Sequence, residues 1–224
     1  MAGNNKPSKE QKLEQKLPSG GTVWVYPANG AGEIVDPVIV VAEPGQGPTD
    51  LDAFASRVDG PDYPLRTKLR QRGKDVILVG YDDKYDWNTA EQVITQAAIY
   101  TQHMRASSKP ITVVGAGRAA LLTRYALARL ENMRMDHQVA ALFSLDSTTP
   151  TAAEQDALNA VGTMPVIPRS GKITSAGTRD LEGLGPRDSL DSSQFDDALY
   201  ASGPASETSL VNEEEGDWLL ERIP

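Results

Sequence analysis

The sequence predicts an α/β protein: a mostly parallel sheet with helices on both faces, in three layers. Short runs of β-branched and apolar residues, bounded by Gly and Pro, read as strands at Thr22 to Tyr26, Val38 to Ala42, Asp75 to Val79, Ile111 to Val114 and Val139 to Leu145. Helical patterns separate the later ones, which implies crossover βαβ units. Val76 to Val79 and Ile111 to Val114 are continuously apolar, as central strands buried on both faces require.

Taken in order, Thr22 to Tyr26 leads into a Pro/Asn/Gly turn at Pro27 to Gly30 and is expected to form an antiparallel edge hairpin with Val38 to Ala42. Leu65 to Arg72 is a short charged helix, stopped by Gly73. A longer helix is expected from Asn88, where Glu91 three residues on makes a capping-box pattern. Its apolar stripe is Val93, Ala97, Tyr100 and Met104. Arg118 to Met133 is a third helix, with Leu121, Tyr125 and Ala128 on one face. Thr151 to Val161 fits one more helix, and Met164 to Ile167 a short strand stopped by Pro168. From Arg169 onward the chain is rich in Ser, Gly and Asp without a sustained period, which argues for a disordered or extended arm. The expected division is a flexible N-terminus at 1–19, one domain at 20–168 and an acidic arm at 169–224.

Charge divides in the same way. The 224 residues carry a formal net charge of −9, and Gly171 to Pro224 holds 4 Lys/Arg against 12 Asp/Glu. An almost neutral body with an acidic last quarter is no nucleic-acid binder, because phosphates need a basic face. Cysteine is absent and histidine occurs twice, so thiolate chemistry, disulfides and a His-rich metal centre are excluded. Neither a secretory leader nor an apolar run of membrane-spanning length can be read, and a soluble, cytoplasmic chain without a membrane partner is expected.

The most informative stretch runs from Ile111 to Leu127, where a buried strand passes through a Gly turn directly into a helix. Gly115-Ala-Gly117-Arg-Ala-Ala120 matches the dinucleotide fingerprint G-x-G-x-x-A. The context is poor, since two strand units precede it and the first acidic residue at a strand end, Asp146, lies 31 residues beyond Gly115. The competing reading is a nucleophile elbow, the strained strand-to-helix turn of G-x-S-x-G. Gly115, Leu121 and the run Arg124 to Leu127 resemble the lipase- and esterase-like branch of the α/β-hydrolase superfamily. Gly21 to Ala42 looks like that family's N-terminal hairpin, and Asp136 to Asp146 like its next strand.

The resemblance places the nucleophile position on Gly117, which has no hydroxyl and cannot form an acyl-enzyme. The family's chain order is Ser, then Asp or Glu, then His, yet no histidine follows His137. His103 reads as a helix residue and His137 as a loop residue. One oxyanion donor would be the Arg118 N–H; the other falls near Pro44, which has none. Glu43 beside it puts a carboxylate where negative charge should be stabilised. The former elbow thus comprises Gly115, Gly117, Arg118 and Ala119. The sheet looks truncated after the strand at 139–145, too short to bring an acid and a base to the site.

Other candidates share the edge at which open α/β sheets bind ligands. Asp146 either contacts a ligand or caps its loop. Asp82, Asp83 and Asp86 either bind a cation or form a solvated loop, and Tyr85 and Trp87 serve recognition or packing. With Glu43, the candidate binding edge is Asp82, Asp83, Tyr85, Trp87 and Asp146. In the arm, Trp218, Leu219, Leu220 and Ile223 make one face of a short helix after an acidic start, for docking on its own body or on a partner. The function this implies is a non-catalytic binding or scaffolding subunit, without cofactor or metal, for a peptide, small molecule or protein partner of basic character. The alternatives are a hydrolase with an unconventional site, such as Ser144 or Ser147 beside Asp146, and a dinucleotide binder.

Overall fold

Burial on both faces marks the centre of the sheet. The computed structural model describes residues 12–30, 32–43, 45, 47–162, 164–175 and 194–224. Within them β3 (Pro37–Val41), β4 (Asp75–Gly80) and β5 (Ile111–Ala116) are almost wholly buried. Around these lie β1 (Leu13–Lys16), β2 (Thr22–Tyr26), β6 (Val139–Leu145), β7 (Arg169–Thr174) and β8 (Asp197–Tyr200). They form one eight-stranded sheet in the order β1-β2-β4-β3-β5-β6-β7-β8. Only the β1–β2 and β2–β4 pairings are antiparallel.

Side chains alternate between the faces with the period of two that a strand imposes. Val38, Val40, Val76, Leu78, Val114 and Phe143 pack on one side with α1 (Leu51–Val58), α2 (Leu65–Gln71) and α6 (Glu213–Arg222). Ile39, Val41, Ile77, Val79, Val113 and Leu142 pack on the other with α3 (Trp87–Met104) and α4 (Arg118–Asn132). Leu158 of α5 (Ala152–Val161) adds a small cluster with Leu121 and Tyr125. Among the described residues no helix is long and apolar enough to cross a membrane.

Several expectations need correction. Thr22–Tyr26 pairs with β4 in the register Val25↔Ile77, not with β3. Within the expected flexible N-terminus, Leu13–Lys16 forms the edge strand, pinned by Trp24 Nε1 donating to Glu14 Oε2 at 3.1 Å and by Lys12 Nζ 3.0 Å from the Trp24 ring centroid; residues 1–11 lie outside the described residues. The long helix begins at Trp87, because Asp86 caps it by accepting from the Thr89 N–H. Met164 to Ile167 is not a strand; β7 starts just beyond Pro168.

The largest correction concerns the end of the chain. The sheet is not truncated after 139–145, and residues from 169 onward are not simply an arm. β7 continues the sheet in parallel with β6, and β8 with β7. The strand is hard to recognise because its buried members include Ser170 and Lys172. Ser170 is satisfied through Asp196, whose Oδ2 accepts its N–H and hydroxyl at 2.7 and 2.8 Å. Helix α6, closed by a capping box between Asn212 and Glu215, buries Trp218, Leu219, Leu220 and Ile223 against the sheet. Phe143 meets Trp218 edge to face, with centroids 5.9 Å apart. The face read as a docking segment is therefore occupied in cis. Residues 176–193 lie outside the described residues.

Candidate functional site

Parallel strands deliver their carboxyl ends to one edge of the sheet, and strand order fixes the sequence of residues along it. From β4 across β3, β5 and β6 to β7, the residues just past each strand include Tyr81, Glu43, Gly117, Asp146 and Ser175.

At the centre, Gly117 is the N-cap of α4 with φ 55° and ψ −129°. That backbone conformation is strained for any residue with a Cβ. Gly115 is required for a different reason: a Cβ there would lie 2.7 Å from the Ala120 Cα, so helix and strand could not approach so closely. The turn from strand to helix is thus strained at Gly117, with Ala119 fully buried behind it. It carries no side chain, and a Cβ built on Gly117 would overlap the Glu43 carboxylate, with Oε1 2.8 Å away. Glu43 Oε1 also accepts the Arg118 N–H at 3.1 Å. A carboxylate therefore sits both where any side chain at position 117 would project and on the first N–H of α4. Pro44 lies outside the described residues.

Arg118 turns its guanidinium to Glu154, with Nε and Nη2 at 3.0 and 2.6 Å from Oε1. Burial opposes the Glu154 charge, but the Thr151 N–H and Arg118 together outweigh it and hold the carboxyl below its usual range. The Arg118 guanidinium lies 5.8 Å from the Trp87 ring, and that ring is 5.4 Å from Tyr125. Tyr81 is 4% exposed and its hydroxyl has no hydrogen-bond partner among the described residues. Burial pushes its pKa well up, with Arg118 and Glu43 the charges that act on it. Trp87 Nε1 and Ser147 Oγ are likewise buried without partners among the described residues.

The remaining carboxylates separate rather than converge. Asp82 accepts the Lys84 N–H in its own turn and Asp86 caps α3, while Asp83 is tied through its N–H to the Gly47 carbonyl. Among the described residues no group of three His, Asp or Glu could hold a metal. Tyr85 is half-buried against the β2–β4 face, with its hydroxyl packed on Gly20.

Asp146, at φ 44°, is engaged by Ser175: Oδ1 accepts the N–H at 2.7 Å and Oδ2 contacts Oγ at 2.6 Å. Ser175 Oγ also lies 2.6 Å from Glu215 Oε1. A hydroxyl has one proton to donate, so for both short contacts to be hydrogen bonds one of the two carboxyls must carry a proton, and Glu215 is the more deeply buried of the two. Burial, with the Asp146 and Glu214 charges behind it, raises the Glu215 pKa in agreement. Neither histidine approaches this edge. His103 is exposed near the end of α3 with Nδ1 2.8 Å from the Ile99 carbonyl. His137, at the start of β6, accepts the Val139 N–H on Nδ1, so Nε2 carries the proton facing Glu131 at 3.0 Å. Ser144 is 1% exposed and its hydroxyl has no hydrogen-bond partner among the described residues.

Tyr81, Glu154, Ser175 and Glu215 stand at this edge although nothing in the sequence pattern marks them together as site residues. Tyr81 carried a usable signal, its place directly after a fully apolar strand. A groove of about 520 Å³ lies at the opposite edge, between Arg169, Asp196, Asp197 and Arg222, where Arg222 pairs with Asp197 and Asp196 takes Ser170.

No family model and no curated protein matches the sequence. Solved structures do match. A fungal esterase from Rhizomucor miehei superposes with a TM-score of 0.63 at 11% identity, over 95% of this chain and 81% of that one. An α/β serine hydrolase without lid from Xanthomonas campestris gives 0.57 at 14% identity, over 88% and 85%. Est1E from Butyrivibrio proteoclasticus gives 0.59 at 12%, over 95% and 98%. At these identities the likeness establishes the α/β-hydrolase fold.

Proposed function

We propose that this chain, built on the α/β-hydrolase fold, is a non-catalytic binding protein of the cytoplasm that recognises its ligand at the former elbow. One observation carries the reading: the Glu43 carboxylate occupies the space over Gly117 where a nucleophile would stand, and takes the Arg118 N–H. Two further facts support it. Gly117 supplies no hydroxyl, and both histidines of the chain lie away from this edge. Acyl transfer needs a nucleophile, a base and a free oxyanion site, and a carboxylate on the donor opposes the last of these. The partner class that suits the chain is a peptide, small molecule or protein, the −9 charge of the whole chain favouring basic groups on those parts of the partner that lie outside the elbow itself.

A second reading, a hydrolase with an unconventional site, has its own supporting observation. The solved structures of this fold named above include esterases, and Ser175 stands between Asp146 and Glu215 with 2.6 Å contacts to both. It requires Asp146 or Glu215 to act as base for a serine that is 6% exposed. Incubation with a fluorophosphonate followed by intact mass separates the two. The binding reading expects unmodified protein, whereas stoichiometric labelling at Ser175 or any serine of this edge would overturn it.

A further inference from the structure

The ligand chemistry of this edge follows from what already sits on it, and rests on reading the elbow as a binding site. We propose that the elbow is a receptor for a ligand carboxylate, and that Glu43 is its built-in occupant, displaced when the ligand binds.

Three observations converge. First, the Arg118 N–H at the head of the 15-residue helix α4 already holds a carboxylate oxygen at 3.1 Å. First-turn N–H groups lack intrahelical acceptors, and the helix dipole favours negative charge there. Second, that occupant is easily released. Glu43 is exposed, and the Arg118 N–H is the one donor its carboxylate takes among the described residues. Third, Tyr81 follows β4 directly beside the end of β3 that carries Glu43, in the register Val41↔Val79, and its hydroxyl, in a residue 4% exposed, has no hydrogen-bond partner among the described residues. A buried hydroxyl without an acceptor is a standing desolvation cost that a ligand oxygen would remove. The Trp87 Nε1–H, also buried and unpaired, is a further donor on the same edge.

The groups left wanting include Tyr81 O–H and Trp87 N–H donors, which calls for an acceptor. The internal occupant identifies the acceptor as a carboxylate. A ligand carboxylate takes the Arg118 N–H and the Tyr81 hydroxyl while the Glu43 side chain swings to solvent. Such a carboxylate comes from a small organic acid or from the C-terminus of a peptide, which backbone donors of this kind capture.

Glu43 acts as a tethered competitor, so the apparent affinity is the intrinsic one reduced by the fraction of molecules in which it has left. The full chain is titrated at constant ionic strength with sodium butyrate, butylammonium chloride, N-acetyl-lysyl-alanine and the C-terminal amide of that dipeptide. Melting temperature and tryptophan fluorescence are read for wild type, Glu43→Ala, Glu43→Gln and Glu43→Ala/Tyr81→Phe. Glu43→Ala is expected to bind butyrate about tenfold or more tightly than wild type. Glu43→Gln should gain in the same direction and serves if the alanine variant is unstable, and adding Tyr81→Phe should cancel most of the gain. A peptide ligand is indicated if the free acid of the dipeptide exceeds butyrate and the amide is inert; a small acid is indicated by the reverse. No gain in either Glu43 variant, or an equal response to butylammonium, overturns the carboxylate assignment. Because butyrate is not a substrate for hydrolysis, ester turnover by the wild type would refute the non-catalytic reading while leaving this result standing.

Discussion

Replacing Gly117 with serine restores a hydroxyl to the elbow, and the structure sets what that must cost. A side chain at φ 55°, ψ −129° stores about 1–3 kcal/mol of backbone strain. Its Cβ overlaps the Glu43 carboxylate, which must give up the Arg118 N–H; for an exposed charged pair that loss is about 1 kcal/mol. The sum, about 2–4 kcal/mol, lowers the melting temperature by roughly 4–16 °C in a chain of this length. A double-mutant cycle with Glu43→Ala separates the two parts. In the alanine background Gly117→Ser should cost only the backbone part, leaving a coupling of about 1 kcal/mol. Urea unfolding followed by tryptophan fluorescence measures all four proteins. A serine variant within about 0.5 kcal/mol of wild type would refute the strained elbow, and a coupling of zero would refute the placement of Glu43 on it.

Glu215→Gln tests the proton assigned to the Ser175 contact. A carboxyl whose pKa is raised by folding contributes stability in full below its unfolded value, near 4.5, and loses it as pH rises through the folded value. The glutamine should remove that falling contribution and match or exceed wild type at neutral pH, while an unchanged pH profile would contradict it. Tyr81→Phe deletes a hydroxyl without a partner and should leave stability unchanged or raise it by about 1 kcal/mol in thermal unfolding; a loss above 1 kcal/mol would show that the hydroxyl is already satisfied. Trp218→Ala should cost about 3–5 kcal/mol, because the ring is buried against Phe143 in the main core. A cost below 1 kcal/mol would return α6 to the status of a loose arm.

How much of this was legible in the sequence depended on how each element is held together. Val76 to Val79 and Ile111 to Val114 are apolar on both faces, so composition alone marks them as central strands. The strand-to-helix turn is readable because Gly115 and Gly117 meet backbone demands that few other residues can. β7 is not readable for the opposite reason, and the helical face at Trp218 to Ile223 is readable as such but not in its choice of its own body over a partner. Ser170 depends on Asp196 and Glu215 on Ser175, and partners so distant in sequence leave no periodic trace. The edge hairpin failed because β2 pairs with β4 across an intervening strand and helices, which local turn chemistry at Pro27 to Gly30 does not encode. Glu43 was noted beside a doubtful oxyanion donor, but its seat over Gly117 required the sheet to bring β3 and β5 side by side.

The central claim is that this edge binds without catalysing acyl transfer. Steady-state hydrolysis of p-nitrophenyl butyrate by the purified full chain tests it most directly, with Glu43→Ala and Ser175→Ala alongside. The account predicts a rate equal to the protein-free blank for all three. Turnover that persists through further purification and disappears with either substitution would contradict it.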